Sequence, residues 1–184
     1  MVDNSDDVIV DLAHQIDDGF ARAGYKLAGR GETIEARLQM DVAYSLRDLV
    51  HSHINSKHLS TAYASASETA RTGSGDCTEH AVLLAAVLKA RQIPARVCHG
   101  LVYVEEGGSA IDGAVHGATV DAGGEVEEAL INGKWYDFDA TLHYPHYSVG
   151  HVLVGTSSMS DKEAHNNHMQ MAALIGNLEM DLLD

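Results

Sequence analysis

Eight residues in a row, Ala81-Val82-Leu83-Leu84-Ala85-Ala86-Val87-Leu88, are apolar without interruption. The run is too short to cross a bilayer. As a helix it has no polar stripe to turn towards water, so it must lie inside the fold. Its flanks fix both ends. Asp76 is a good N-cap and Glu79, three residues on, completes a capping-box pattern, which puts Cys77 in the first turn. Lys89 and Arg91 complement the carboxyl end of the helix dipole, and Pro94 stops the helix. Whatever else this chain does, it folds around that rod.

A thiol in the first helical turn meets the positive end of the dipole and backbone N–H groups, both of which favour thiolate over thiol. Gly73 and Gly75 crowd the approach, and Asp76, Thr78 and Glu79 are polar neighbours. This setting suits a reactive cysteine better than a packed one, the common fate of free cysteines. Cys98, in Arg-Val-Cys-His-Gly, reads instead as strand packing.

The length of 184 residues suits one domain, 1–184, with a single sizeable core. Residues 1–34 form an N-terminal helical extension and 35–184 the core. A net charge of −15, from 12 Lys and Arg against 27 Asp and Glu, lacks the basic footprint that a phosphate backbone or an anionic membrane requires. Nucleic acid and membrane are therefore excluded as expected partners. The acidic start, Met-Val-Asp-Asn-Ser-Asp-Asp, has no apolar signal region, and a nucleophilic Cys77 needs a reducing compartment. The cytoplasm is the expected location.

Val8, Leu12, Ile16 and Phe20 recur every four residues and predict an amphipathic helix over 7–21. A second helix is predicted from Thr33 to Ile54, and a short helical turn around Glu68. After Pro94, Arg96 to Val104 reads as a strand, followed by an acidic, glycine-rich loop to about Gly124. A hairpin is predicted from Glu125–Ile131 and Lys134–Thr141, joined by Asn132-Gly133, a dipeptide suited to positive φ. Residues 161–175 read as helix, and the alternation of Leu178, Met180 and Leu182 as a last strand. The class is α+β: helices first, one buried helix, then a largely antiparallel sheet.

Gly-Asp-Cys77-Thr-Glu-His, Gln92-Ile-Pro-Ala-Arg96, Gly100-Leu-Val-Tyr103 and Asn132-Gly-Lys-Trp-Tyr-Asp-Phe-Asp-Ala-Thr141 follow one another in the order and spacing of a known group. The chain resembles the transglutaminase-like superfamily over roughly residues 35–184. The resemblance implies a papain-like core, in which a Cys on the central helix works with a His and an Asp on adjacent strands. Members include transglutaminases, proteases, peptide N-glycanases and deamidases. Cys77 then takes the nucleophile position, Asp139 that of the acid orienting the imidazole, and Trp135 a structural position. The histidine slot, counted back from Asp139, is Gly124, with Val126 in the tryptophan slot and Glu128 keeping the acidic one. Positions 124, 126 and 128 share a strand face, expected to open towards Cys77.

Three arrangements fill that gap. His116, eight residues upstream, completes a Cys77–His116–Asp139 triad if His116-Gly-Ala-Thr-Val-Asp is the histidine-bearing strand. His80 stands one turn after Cys77 on the same helix face. In the third arrangement no histidine serves, and the domain is catalytically impaired and binds a peptide or protein partner. The expected function is thiol-dependent amide hydrolysis or acyl transfer on a peptide or protein substrate, through a Cys77 thioester, with no metal or organic cofactor.

Twelve histidines raise the question of a metal. His51 and His53 point to different sides of a helix, and His165 and His168 lack partners in a recognisable zinc spacing. His143, His146 and His151, near Tyr144 and Tyr147, are placed to line a cleft mouth. Tyr63 is placed to assist an oxyanion, with the backbone N–H of Cys77 the principal donor.

Overall fold

The computed structural model of the protein describes residues 3–16, 34–56, 64–105, 118–141 and 151–157. Its elements are α1 (Asp7–Ala13), α2 (Ile34–His53), α3 (Ala66–Thr72), α4 (Cys77–Ala90), β1 (Ala95–Glu105), β2 (Ala118–Ile131), β3 (Lys134–Phe138) and β4 (His151–Ser157). The strands form one sheet in the order β3-β2-β1-β4, every neighbouring pair antiparallel. The class is α+β, as the pattern predicts. No described helix is long and apolar enough to cross a membrane.

The apolar rod is α4, and every residue from Glu79 to Leu88 is buried. It touches α1, α2 and α3 as well as β1 and β2. Ile9 and Leu12 of α1, Leu46 and Val50 of α2, and Val97, Ala129, Ile131 and Phe138 of the sheet join its Leu83, Leu84 and Leu88 in one apolar cluster. Burying a side chain of this kind stabilises the fold by about 1.5–3 kcal/mol, so this cluster dominates the packing energy. Tyr44 of α2 meets Phe138 edge-on, with ring centroids 5.1 Å apart.

Three expectations change. The helix predicted to reach residue 21 ends at Ala13, capped by His14. Arg91, just past α4, donates Nη1 hydrogens to the carbonyls of Ala13 (2.9 Å) and Ile16 (2.8 Å). Those acceptors serve a guanidinium rather than a continuing ladder; residues 17–21 lie outside the described residues. The loop predicted up to Gly124 is partly strand, because β2 pairs with β1 from Ala118 opposite Glu105. A bulge where Gly100 pairs Gly124 but Leu101 pairs Ala122 takes in Gly123, so the glycine pair kinks a ladder instead of ending it. The sheet also gains β4, where no strand was expected. His151 is its first residue. The helix predicted over 161–175 and the strand over 178–182 lie outside the described residues.

The hairpin turn is as the dipeptide predicts, with φ of 51° at Asn132 and 77° at Gly133.

Candidate active site

The turn before α4 is locked from two sides. Asp76 Oδ1 accepts from the Thr78 N–H at 2.9 Å, and Glu79 Oε2 accepts from the Asp76 N–H at 3.0 Å, so the capping box read from the sequence is formed. Glu79 does more than the box requires. Its Oε1 accepts from the Ala64 N–H at 3.0 Å, tying the segment before α3 to the start of α4. The residue is 1% exposed, and burial, with Asp76 alongside, raises its carboxyl above the ordinary carboxylate range. On the other side, the Gly75 N–H reaches the Ser56 carbonyl at 3.1 Å and Ser56 bridges Ser74, binding the turn to the end of α2.

This lock holds Cys77 half-buried at the first position of α4. Cys98 is buried, and burial, followed by Glu128, pushes its thiol far above the ordinary range. Of the two thiols, only Cys77 has both access and a helix N-terminus.

Strand register locates Asp139 relative to β1. α4 rises about 20 Å along its length, and β1 returns beside it after the short turn at Arg91–Pro94. At about 3.3 Å per residue, the Cys77 end of α4 is level with Gly100–Leu101. β2 descends antiparallel with Gly124 opposite Gly100, and β3 climbs back to Phe138, opposite Glu127. Asp139 follows directly on Phe138, whose partner Glu127 pairs with Val97, three residues before Gly100 on β1. His51 of α2 has its Nδ1 3.0 Å from the Ala140 carbonyl, while Ser56, just beyond the helix, holds Gly75. The end of α2 thus touches both the cysteine turn and the aspartate loop. Asp139 is 7% exposed, and its Oδ1 accepts from the Thr141 N–H (2.7 Å) and hydroxyl (2.5 Å).

The face of the histidine slot needs correction. Glu128, which shares strand parity with Gly124, points away from the core and pairs with Arg96 Nε at 2.6 Å. The Arg96 guanidinium in turn lies 4.1 Å from the ring centroid of Trp135, which is 40% exposed. The residues packed against α4 from this strand are Ala129 and Ile131, of the opposite parity. Position 124 consequently belongs to the Arg96–Trp135 face, not the face carrying α4. The structural role expected of Trp135 is the stacking of this arginine.

His116 lies outside the described residues, as do Tyr63, His143, His146, His165 and His168. Ala118, the first described residue after His116, pairs with Glu105, which is about 16 Å along β1 beyond Gly100. His80 is 3% exposed, with Nδ1 2.5 Å from the Asp76 carbonyl oxygen. His53 Nε2 lies 2.8 Å from the Ala70 carbonyl, so His51 and His53 serve different backbone groups. Among the described residues, no three His, Cys, Asp or Glu side chains converge to hold a metal. Sequence reasoning missed the second bond of Glu79 and the bridging role of His51. An acid conspicuously next to an apolar run was the signal for the first; nothing marked the second.

The sequence model of the transglutaminase-like superfamily, the transglutaminase core, matches residues 27–140. No curated protein matches the chain. Among solved structures, a candidate cysteine protease from Cytophaga hutchinsonii is similar at 22% identity and a TM-score of 0.49, over 83% of this chain and 47% of that one. A candidate protease from Parabacteroides distasonis is similar at 18% identity and a TM-score of 0.33, over 72% of this chain and 26% of that one. The chain spans less than half the length of either.

Proposed function

We infer that this chain, which belongs to the transglutaminase-like superfamily, is a thiol enzyme of the cysteine-protease kind that acts on amide bonds of a peptide or protein. The Cys77 thiolate attacks the amide carbonyl, and the first-turn backbone N–H of Cys77 is the donor we assign to the resulting oxyanion. Collapse to the thioester expels the amine, which takes a proton from an imidazolium. Water then gives a free acid, or an amine gives a transferred acyl group. The resemblance leaves Gly124 in the histidine slot, and the triad we assign is Cys77–His116–Asp139, with His80 the second candidate for the base. Asp139, anchored by Thr141, holds the acid position. No metal or organic cofactor is required by this chemistry. Two free cysteines fit a reducing compartment such as the cytoplasm.

One observation carries the reading: a half-buried thiol sits at the first position of a helix whose cap is locked from two sides, while the other thiol is buried. Brief treatment with iodoacetamide at pH 6 tests it, because an ordinary thiol of pKa near ~8.5 is scarcely ionised there. Cys77 should be alkylated and Cys98 spared, and Cys77→Ala should abolish hydrolysis of a fluorescent casein. Hydrolysis that survives in Cys77→Ala overturns the assignment.

A peptide-binding, catalytically impaired domain is the second reading. It is favoured by the glycine at position 124 and by the face on which that position lies. Peptide binding without turnover, equal in the parent and Cys77→Ala, would establish it instead.

A further inference from the structure

The buried rod carries an acid inside it. Glu79 is 1% exposed, and burying a carboxyl costs free energy unless its oxygens are hydrogen-bonded. A capping box needs one of those oxygens, returned to the N-cap N–H, and works equally well at a helix start open to water. Here both oxygens are engaged, each by a backbone donor from a different segment. Oε2 accepts from the Asp76 N–H and Oε1 from the Ala64 N–H, both at 3.0 Å. One planar carboxyl group thus couples the turn that carries the nucleophile to the chain entering α3.

That coupling bears on Cys77 from its two sides. Residues two apart on a helix do not face each other, so the influence of Glu79 on Cys77 runs through the backbone. The Asp76 N–H is held by Glu79, the Thr78 N–H by Asp76 Oδ1 at 2.9 Å, and the Glu79 N–H returns to the Asp76 side chain. The box is closed within residues 76–79, so by itself it fixes nothing relative to the rest of the fold. Two bonds fasten it: the Gly75 N–H to the Ser56 carbonyl at 3.1 Å, and the Ala64 N–H to Glu79. The contact is tight, because a Cβ added at Gly75 would stand 2.2 Å from Glu79 Cβ.

We propose that Glu79 is a positioning residue for Cys77: its grip on the Ala64 N–H sets the angle at which the cysteine turn meets the amide carbonyl. The proposal deepens the thiol-enzyme reading and rests on it. No proton or bond passes through Glu79. Its effect is geometric, and a misplacement of about 1 Å at a reacting group costs about 10²-fold in rate. Loss of the grip should therefore appear in kcat, with KM kept.

Two variants cut the bond from opposite ends. Ala64→Pro removes the donor and leaves Glu79 and the capping box whole. Glu79→Gln keeps the side-chain shape but offers one acceptor oxygen to two donors. Hydrolysis of fluorescent casein is measured well below the unfolding temperature in the parent, both variants and the double variant. Ile131→Val, a core truncation at the hairpin end of the sheet, loses stability without touching the turn. Each single variant should lower kcat by about 10²-fold and leave KM within about threefold. The double variant should fall no further than the worse single one, since both remove the same bond, and Ile131→Val should keep the parent kcat. Parent kcat in the single variants, losses that multiply in the double variant, or an equal loss in Ile131→Val overturns the proposal and spares the nucleophile. A parent without hydrolysis, or hydrolysis that survives in Cys77→Ala, overturns both. If Ala64→Pro does not fold, Glu79→Asp takes its place: one methylene shorter, it keeps both oxygens but does not span both donors. It should show the same loss in kcat, and an unimpaired kcat refutes the grip.

Discussion

Gly75 should be among the least replaceable residues in the chain, for a reason that is purely steric. A Cβ added there would lie 2.2 Å from Glu79 Cβ and 2.7 Å from its Cγ. Glu79 Cβ is fixed to the helix backbone, so no rotamer change relieves the overlap. Either α4 and the turn separate, or the core around them strains. Separation takes the Asp76 N–H from Glu79 Oε2 and loosens the cap, which costs about 0.5–2 kcal/mol for the cap alone, and stripping a donor from a buried carboxylate adds about 1–3 kcal/mol. Overpacking instead costs about 1–3 kcal/mol. The lower chain entropy of alanine when unfolded returns only about 0.4–1 kcal/mol. Gly75→Ala should therefore lose about 2–3 kcal/mol, or about 4–12 °C in Tm for a chain of this size. Gly133→Ala is the control: its φ is +77° and nothing lies within 4 Å of an added Cβ, so it should lose only about 1 kcal/mol. Thermal and urea unfolding by circular dichroism measure both. A Gly75→Ala chain as stable as the parent, or more stable than Gly133→Ala, would refute the clasp between this turn and Glu79.

Two further outcomes follow from the buried acid and the buried thiol. Burial first, then Asp76, raises the Glu79 carboxyl, so its contribution to stability is present below the unfolded value of about ~4.3 and is lost as pH rises through the folded one. Urea unfolding between pH 4 and 7 should show Glu79→Gln gaining on the parent as pH rises, and a parent–variant difference that is constant with pH would refute this. Cys98, buried and facing Glu128, should resist alkylation in the native protein at pH 8 and react only on unfolding. Native labelling of Cys98 as fast as that of Cys77 would contradict its placement.

Features written in local chemistry were legible in the sequence. Asp76 and Glu79 foretold the cap, the apolar run foretold the buried rod, Pro94 its end, and Asn132-Gly133 the hairpin. Each depends on residues within a turn of one another. What escaped depends on distant partners. The end of α1 is set by Arg91, far along the chain. The early start of β2 depends on a bulge opposite Gly100, and β4 pairs with β1 across a long separation. The face of position 124 was misjudged because alternation gives parity but not sign; the Arg96–Glu128 pair on one side and Ala129 on the other supply it. Cys77 and Asp139 were legible as candidates from motif order, while the grip of Glu79 on Ala64 was signalled only by an acid set against the apolar run, with nothing to mark its partner fifteen residues earlier.

The family signature over 27–140 is narrower than the folding unit. A fragment trimmed to it would forfeit the amino-terminal helix that plugs Ile9 and Leu12 against the central rod, leave Arg91 without its two carbonyl acceptors, and uncover the unprotected border of β1 where His151–Ser157 had lain. Such a fragment would present bare strand edge and bare helix together, the combination that drives chains to stick to one another. Expression boundaries for this protein are better drawn from what touches the rod than from what matches the motif.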